Sequence, residues 1–293
     1  MTKACVLCGA DGPRVLYRLP ALQVLECAAC RLAYVDETLS FHELAALYRG
    51  EDYYSRNFSF YVPGIERRVI EDNLQDFRPV EHRWAGGRIL DLGCADGGFL
   101  AALDASRWDR YGVDISAEAI QRARARADGG GIDFRAGELA EIGFPAEFFD
   151  VVTLWMLVEH LRDPRAVLAE VHRILRPDGL VILKTPNRDS LLAHLSHWLY
   201  RLSLGWIRRP LTLYYTLLHL CFFDPDTLGA LLRRSGFEVV NAWQDERYVT
   251  KHAMSRFAPW QRAVLRAFVA CSRWTGKLDA LVMVGEKRVK GLA

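Results

Sequence analysis

From position 88 onward, short apolar runs alternate with longer stretches whose apolar residues recur every three to four positions. Short runs bounded by turn residues read as strands, and the wider recurrence reads as helix. The strand-like runs are 88–92, 110–115, 132–136, 149–155, 180–184, 237–243 and 278–287, and helices are expected between them over 97–103, 117–127, 164–175, 225–236 and 257–274. This is the pattern of an α/β domain built on a seven-stranded sheet with helices on both faces. The run 149–155 is apolar along most of its length, which suits a strand covered on both faces at the centre of a parallel sheet. Asp163 followed by Pro164 supplies a capping carboxylate and a proline at the first helical position; Val167, Leu168, Val171 and Leu175 then form one stripe. Upstream, Ile65, Val69, Ile70, Leu74 and Phe77 predict a helix over 65–82, preceded by a helical stretch at 41–48 and a packing cluster of Tyr53, Tyr54, Phe58, Phe60 and Tyr61.

The alternation breaks once, at residues 189–223, an apolar insertion between the fifth strand and the helix that opens at Asp224-Pro225. Leu191, Leu192, Leu195, Trp198, Leu199 and Leu202 recur at helical spacing, with His194, His197 and Arg201 between them. The run 211–223 follows Arg208-Arg209-Pro210; it falls short of the roughly 20 residues that span a bilayer, but would suit lying on one with the arginines near anionic headgroups. Three roles stand open: packing on the sheet over a ligand, a lid that shapes a second pocket, and peripheral membrane contact.

The 293 residues are 51% hydrophobic and 25% charged, the balance of a globular protein with one sizeable core and a small appendage. A net charge of +2 creates no field that would draw a polyanion, so nucleic acid is not implied. The N-terminus carries cysteines where a secretory signal needs an apolar core, which makes the cytoplasm the expected compartment.

Four of the seven cysteines form two pairs, Cys5-x-x-Cys8 and Cys27-x-x-Cys30. Two short turns that each offer two thiolates to one tetrahedral ion make a zinc ribbon, and four thiolates leave no coordination site for water, so the ion's role would be structural. Two disulfides would need an oxidising compartment, and a metal-free remnant is the third reading. Cys94, Cys221 and Cys271 stand alone and read as packing residues.

The chemistry centres on Asp91-Leu92-Gly93-Cys94-Ala95-Asp96-Gly97, where the first strand turns through glycines into a helix. Such turns bring backbone N–H groups close to a nucleotide-like ligand. Asp114, at the end of the second strand and 114 − 91 = 23 positions after Asp91, stands near the spacing at which a carboxylate reaches ribose hydroxyls. The dinucleotide pattern G-x-G-x-x-G is not met, because Ala95 stands at its second glycine.

These residues resemble the first motif of the class I S-adenosylmethionine-dependent methyltransferases, D-x-G-x-G-x-G, present here as Asp91, Gly93, Ala95 and Gly97 with one glycine replaced. The resemblance continues through Gly137-Glu138-Leu139, Phe149-Asp150-Val151-Val152, Val158-Glu159-His160-Leu161, Leu175-Arg176-Pro177-Asp178-Gly179 and Thr185-Pro186-Asn187. It implies a Rossmann-like sheet whose last strand lies antiparallel between the fifth and sixth. It also implies S-adenosylmethionine held by Asp91, Gly93, Ala95, Gly97, Asp114, Ile115, Glu138, Leu139 and Trp155. Asp114 would take the ribose, and Glu138 the adenine edge unless it is an exposed loop glutamate. Glu159 and His160 stand where the family places an active-site pair, with His160 as a general base or, alternatively, a packed turn residue. The ribbon followed by the helix and tyrosine pair is similar to a bacterial methyltransferase group linked to sugar and polysaccharide modification. Ubiquinone-type O-methyltransferases also look similar, though Met156 stands where some of them carry a carboxylate that helps bind a divalent ion.

The expected organisation is a zinc-ribbon-like segment at 1–40, a helical linker or cap at 41–84 and a methyltransferase domain at 85–293. The acceptor expected is a sugar, a lipid-linked saccharide or a quinone-like compound. An RNA methyltransferase using the ribbon to hold RNA and a non-catalytic scaffold are the competing classes; neither acceptor identity nor oligomeric state is written in the sequence.

Overall fold

The computed structural model describes residues 4–20, 22–35, 65–81, 83, 86–127, 130–215, 218–246 and 258–288; the helix expected at 41–48 and the aromatic cluster at 53–61 lie outside them. Strands β1 (Arg14–Arg18), β2 (Gln23–Glu26) and β3 (Ala33–Val35) come first, then helix α1 (Ile65–Glu81). The alternating part runs β4 (Gly87–Leu92), α2 (Gly98–Ala101), β5 (Trp108–Asp114), α3 (Ala117–Ala127), β6 (Ile132–Ala136), α4 (Leu139–Ile142), β7 (Phe149–Trp155), α5 (Pro164–Ile174) and β8 (Leu175–Pro186). The insertion forms α6 (Leu191–Leu202), α7 (Arg209–Tyr214) and β9 (Cys221–Phe222); α8 (Pro225–Arg234), β10 (Phe237–Asp245), α9 (Pro259–Thr275) and β11 (Ala280–Lys287) follow.

Seven strands form one sheet in the order β10-β11-β8-β7-β4-β5-β6, with β11 antiparallel to both neighbours, as the family resemblance implies. Strand alternation divides the core. Ile89, Val151, Ile182 and Val282 face Phe77 of α1, Leu100 of α2 and Ile120 of α3. Leu90, Val152, Leu183 and Leu281 face Leu168 and Val171 of α5 and Leu228 and Leu231 of α8. Val69, one of the apolar residues whose spacing predicts α1, is exposed.

The ribbon shares this second core. Leu7, Leu25 and Leu32 are buried within it, each contributing about 1.5–3 kcal/mol. Its β1-β2-β3 sheet gains β9 as a fourth strand, with Ala33 opposite Phe222 and Tyr34 opposite Cys221. Arg188, just past β8, donates to the Arg31 carbonyl at 2.7 Å and pairs with Glu26, which fastens the end of β8 to the second cysteine turn.

The insertion packs on the ribbon. Leu211 and Tyr215 join Tyr17, Val24, Val35 and Phe222 in a separate cluster. The face of α6 turned inward holds Ala193 and Ser196, with Tyr17 Oη 2.6 Å from His197 Nδ1, whereas Leu195, Trp198, Leu199 and Leu202 are exposed. The leucine stripe of α6 thus faces outward, which departs from the reading that packs it on the sheet.

Candidate active site

Register sets the floor of the site. β4 pairs with β7 so that Asp91 lies opposite Thr153, whose hydroxyl donates to Asp91 Oδ1 at 2.7 Å. Burial raises the Asp91 carboxyl to about 7 against the pull of that hydrogen bond. The turn that follows holds three left-handed residues, Gly93 (φ 77°), Ala95 (φ 49°) and Gly97 (φ 73°). A Cβ on Gly97 would meet the Phe134 ring at 2.4 Å, so glycine is needed there for α2 to close on β6. A Cβ on Gly93 would meet Leu157 at 3.0 Å.

Asp114 ends β5 beside this turn. Its Oδ2 accepts from the Ala95 N–H at 3.0 Å and its Oδ1 from the Ser116 N–H at 2.8 Å. A carboxylate offers about two lone pairs per oxygen, so each oxygen keeps capacity for a ligand diol. Burial pushes the Asp114 carboxyl up, opposed by those two N–H groups. Ile115 is exposed next to it, Leu139 is buried at the head of α4, and Glu138 is exposed at the N-cap of α4 with no capping hydrogen bond. Trp155, at the end of β7, packs edge-on to Phe99 and keeps its indole N–H buried without a partner. A turn closed on the sheet, a carboxylate with spare acceptors and an unsatisfied N–H fit an adenosyl donor bearing a diol and a carboxylate.

Glu159 and His160 lie in a short 3-10 turn just beyond β7, and the insertion brings His219 against them, its ring centroid 4.8 Å from that of His160. The Leu218 carbonyl accepts from His160 Nδ1 at 2.8 Å, which selects the tautomer with the lone pair on Nε2. That Nε2 is 3.9 Å from Glu159 Oε1. Burial holds His160 down to about 4 and His219 down to about 3, and raises Glu159 to about 8, so at neutral pH all three are uncharged. One ligand atom from each lies within 4.8 Å of the others, a spacing that would accept a divalent ion.

The four ribbon cysteines are free thiols brought to one point. Cys5 and Cys30 sulfurs are 3.5 Å apart, as are those of Cys8 and Cys27, and all four lie within 4.8 Å. Tetrahedral zinc with bonds of about 2.3 Å separates its sulfurs by about 3.8 Å, so the set fits one structural ion. Both turns have the same form: the residue after the second cysteine, Gly9 (φ 76°) or Arg31 (φ 65°), is left-handed, and its N–H donates to the first cysteine's carbonyl.

Three features escape sequence reading. Thr153 is recognisable only through the β4–β7 register. His219 lies far along the chain inside an apolar run, with no motif around it. Met156 adopts φ 52° directly after β7, a strained backbone for a non-glycine residue at the turn that leads to Glu159 and His160.

A family model described as a methyltransferase domain matches residues 64–242. A Mycolicibacterium smegmatis protein named as a probable S-adenosylmethionine-dependent methyltransferase is 32% identical over 43% of this chain and 49% of its own length. A Ruegeria pomeroyi ubiquinone biosynthesis O-methyltransferase is 33% identical over 60% of this chain and 70% of its own. The chain thus spans about half to 70% of these relatives' length. An S-adenosylmethionine-dependent methyltransferase structure from Thermotoga maritima shares the fold, with a TM-score of 0.53 at 20% identity over 84% of this chain and 99% of that one. Motif, sheet order and family match agree, and the chain belongs to the class I S-adenosylmethionine-dependent methyltransferases.

Proposed function

We propose that this protein methylates a hydroxyl on a small, partly apolar acceptor, a quinone-like ring or a lipid-linked saccharide, with His160 as the proton acceptor. His160 carries the reading: it is neutral, the Leu218 carbonyl sets its tautomer with the proton on Nδ1, and Nε2 is the unprotonated nitrogen. S-adenosylmethionine, when bound, supplies a methyl group already activated on a sulfonium. The chain's task is then to align the acceptor and take its proton. On the donor side, Asp114 receives the ribose hydroxyls, Ile115 and Leu139 flank the adenine, and Glu138 offers its edge a polar partner. Asp91, Gly93, Ala95 and Gly97 shape the turn, and Trp155 closes its inner wall. On the acceptor side, His160 Nε2 accepts the hydroxyl proton, and the Glu159 carboxyl oxygen 3.9 Å from that nitrogen borders the resulting imidazolium. The ribbon then serves as scaffold, its zinc held by Cys5, Cys8, Cys27 and Cys30.

The relatives named as ubiquinone biosynthesis O-methyltransferases favour the quinone-like ring. The test is transfer of label from the donor to a catechol-type ring, a lipid-linked saccharide and RNA, with wild type and His160→Gln. The variant should lose at least about a hundredfold in kcat while donor affinity holds. Unchanged turnover would remove His160 as the base, and label appearing on RNA alone would replace the acceptor class. Loss of activity to a chelator that leaves the ribbon zinc in place would point to an ion at Glu159, His160 and His219.

A further inference from the structure

We propose that the outer side of α6 and the turn after it form a docking surface for an anionic lipid bilayer. Helix α6 is inverted relative to an ordinary surface helix: its small and polar residues point inward, and Leu195, Trp198, Leu199 and Leu202 point out, the last 79% exposed. The turn continues the stripe, with Leu204 90% exposed, Trp206 89% exposed and Ile207 also outward. Contiguous apolar exposure on this scale marks a surface that something covers.

The turn is built rather than loose. Leu204 (φ 51°) and Gly205 (φ 85°) are consecutive left-handed residues. The Gly205 N–H donates to the Tyr200 carbonyl at 2.8 Å, the Ile207 N–H to Ser203 Oγ at 2.9 Å, and Arg208 Nε to the Gly205 carbonyl at 2.6 Å. A leucine is held in a disfavoured backbone region and aimed at solvent. On the inner side, Tyr17 against His197 and Tyr200 keeps α6 from rolling its leucines inward.

Charge selects the occupant. Residues 190–223 contain no Asp or Glu and three arginines, Arg201, Arg208 and Arg209, all exposed. Over the insertion as a whole, 189–223, Asp189 brings the formal charge to +2, and that carboxylate is paired with Lys277. Tryptophan and leucine flanked by arginines are the composition of an interfacial element on acidic headgroups. Among the described residues no helix is long and apolar enough to cross a membrane, so the contact is with the surface. The insertion then returns through His219 to Glu159, which ties the docking segment to the proposed base along the chain.

The test is flotation of the intact protein with vesicles of phosphatidylcholine containing about a third phosphatidylglycerol, against phosphatidylcholine alone. Wild type should float with the acidic vesicles and release as salt rises. The double change Leu204→Ser, Trp206→Ser removes only exposed side chains. It should keep the thermal midpoint, donor affinity and turnover of a water-soluble acceptor, while partition falls at least about tenfold. Arg208→Gln with Arg209→Gln should weaken partition and flatten its salt dependence. Wild type that stays down with both vesicle types, or a serine variant that floats equally, overturns the proposal. So does a wild-type dimer that the serine variant dissociates in the absence of any flotation, which would make the face a protein interface. Flotation without methyl transfer would leave docking standing and remove only the proposed activity.

Discussion

Replacing Glu159 by Gln isolates the electrostatics of the proposed base. The side chain is 2% exposed, its Oε2 has no hydrogen-bond partner, and burial raises its carboxyl from 4.5 to about 8. In the unfolded chain the group ionises near its ordinary value. Its contribution to stability is therefore complete below pH 4.5 and is lost as pH climbs towards 8, at about 1.4 kcal/mol per pH unit. Asp91, raised from 3.8 to about 7, acts in the same direction. His160, lowered from 6.5 to about 4, acts oppositely: its contribution is present above pH 6.5 and is lost as pH falls towards 4. The histidine slope thus masks the glutamate slope below pH 6.5, and the cleaner window lies above it. Between pH 6.5 and 8 the Glu159 share is about 2 kcal/mol. Urea unfolding of zinc-loaded wild type and variant at those two pH values gives it directly, because the shared titration of Asp91 and of the metal-bound thiols cancels in the difference. The wild type should lose about 2 kcal/mol more than the variant. Parallel losses would mean that Glu159 is already ionised in the native state, and the neutral cluster would be wrong.

Asp114→Ala leaves a bound ribose without its charged acceptor and should weaken donor binding by roughly 2 kcal/mol or more by calorimetry; unchanged affinity in a folded variant takes Asp114 out of the site. Elemental analysis should find one zinc per chain, and less than about a third of an equivalent after purification without chelator would end the structural-site reading. Stripping that zinc should reduce acceptor turnover more than donor affinity. The second cysteine turn leads into β3, and the Val35 N–H donates to Leu220 at 3.0 Å while the Leu220 N–H donates to Glu159 at 2.7 Å.

The sheet was legible because each strand from β4 to β8 carries its own apolar run and each helix its own stripe; even the cap at Asp163 could be read, since it depends on neighbours in sequence. The paired cysteines were legible for the same reason. Contacts set by pairing across the fold were not. Nothing near Asp91 announces Thr153, and nothing near His160 announces His219 or the Leu218 carbonyl. Periodicity located the apolar stripe of α6 but was silent on which way it faces, because a stripe has the same spacing whether it meets a core or a membrane. The glycines of the first turn were expected to admit a ligand; Gly97 is held first of all by the Phe134 ring beneath it.

The two residues of β9 make the ribbon a poor candidate for modular exchange. A truncation near residue 40 would follow the apparent boundary, yet it would strip Cys221 and Phe222 of their only sheet partner among the described residues and remove the ribbon leucines from the core they share with Phe223 and Leu228. An orphaned edge beside fresh apolar surface invites association with other chains. Loss of the ribbon would therefore surface as insolubility before any change of acceptor preference could be measured, and a ribbon borrowed from a relative would have to bring its own β9 with it.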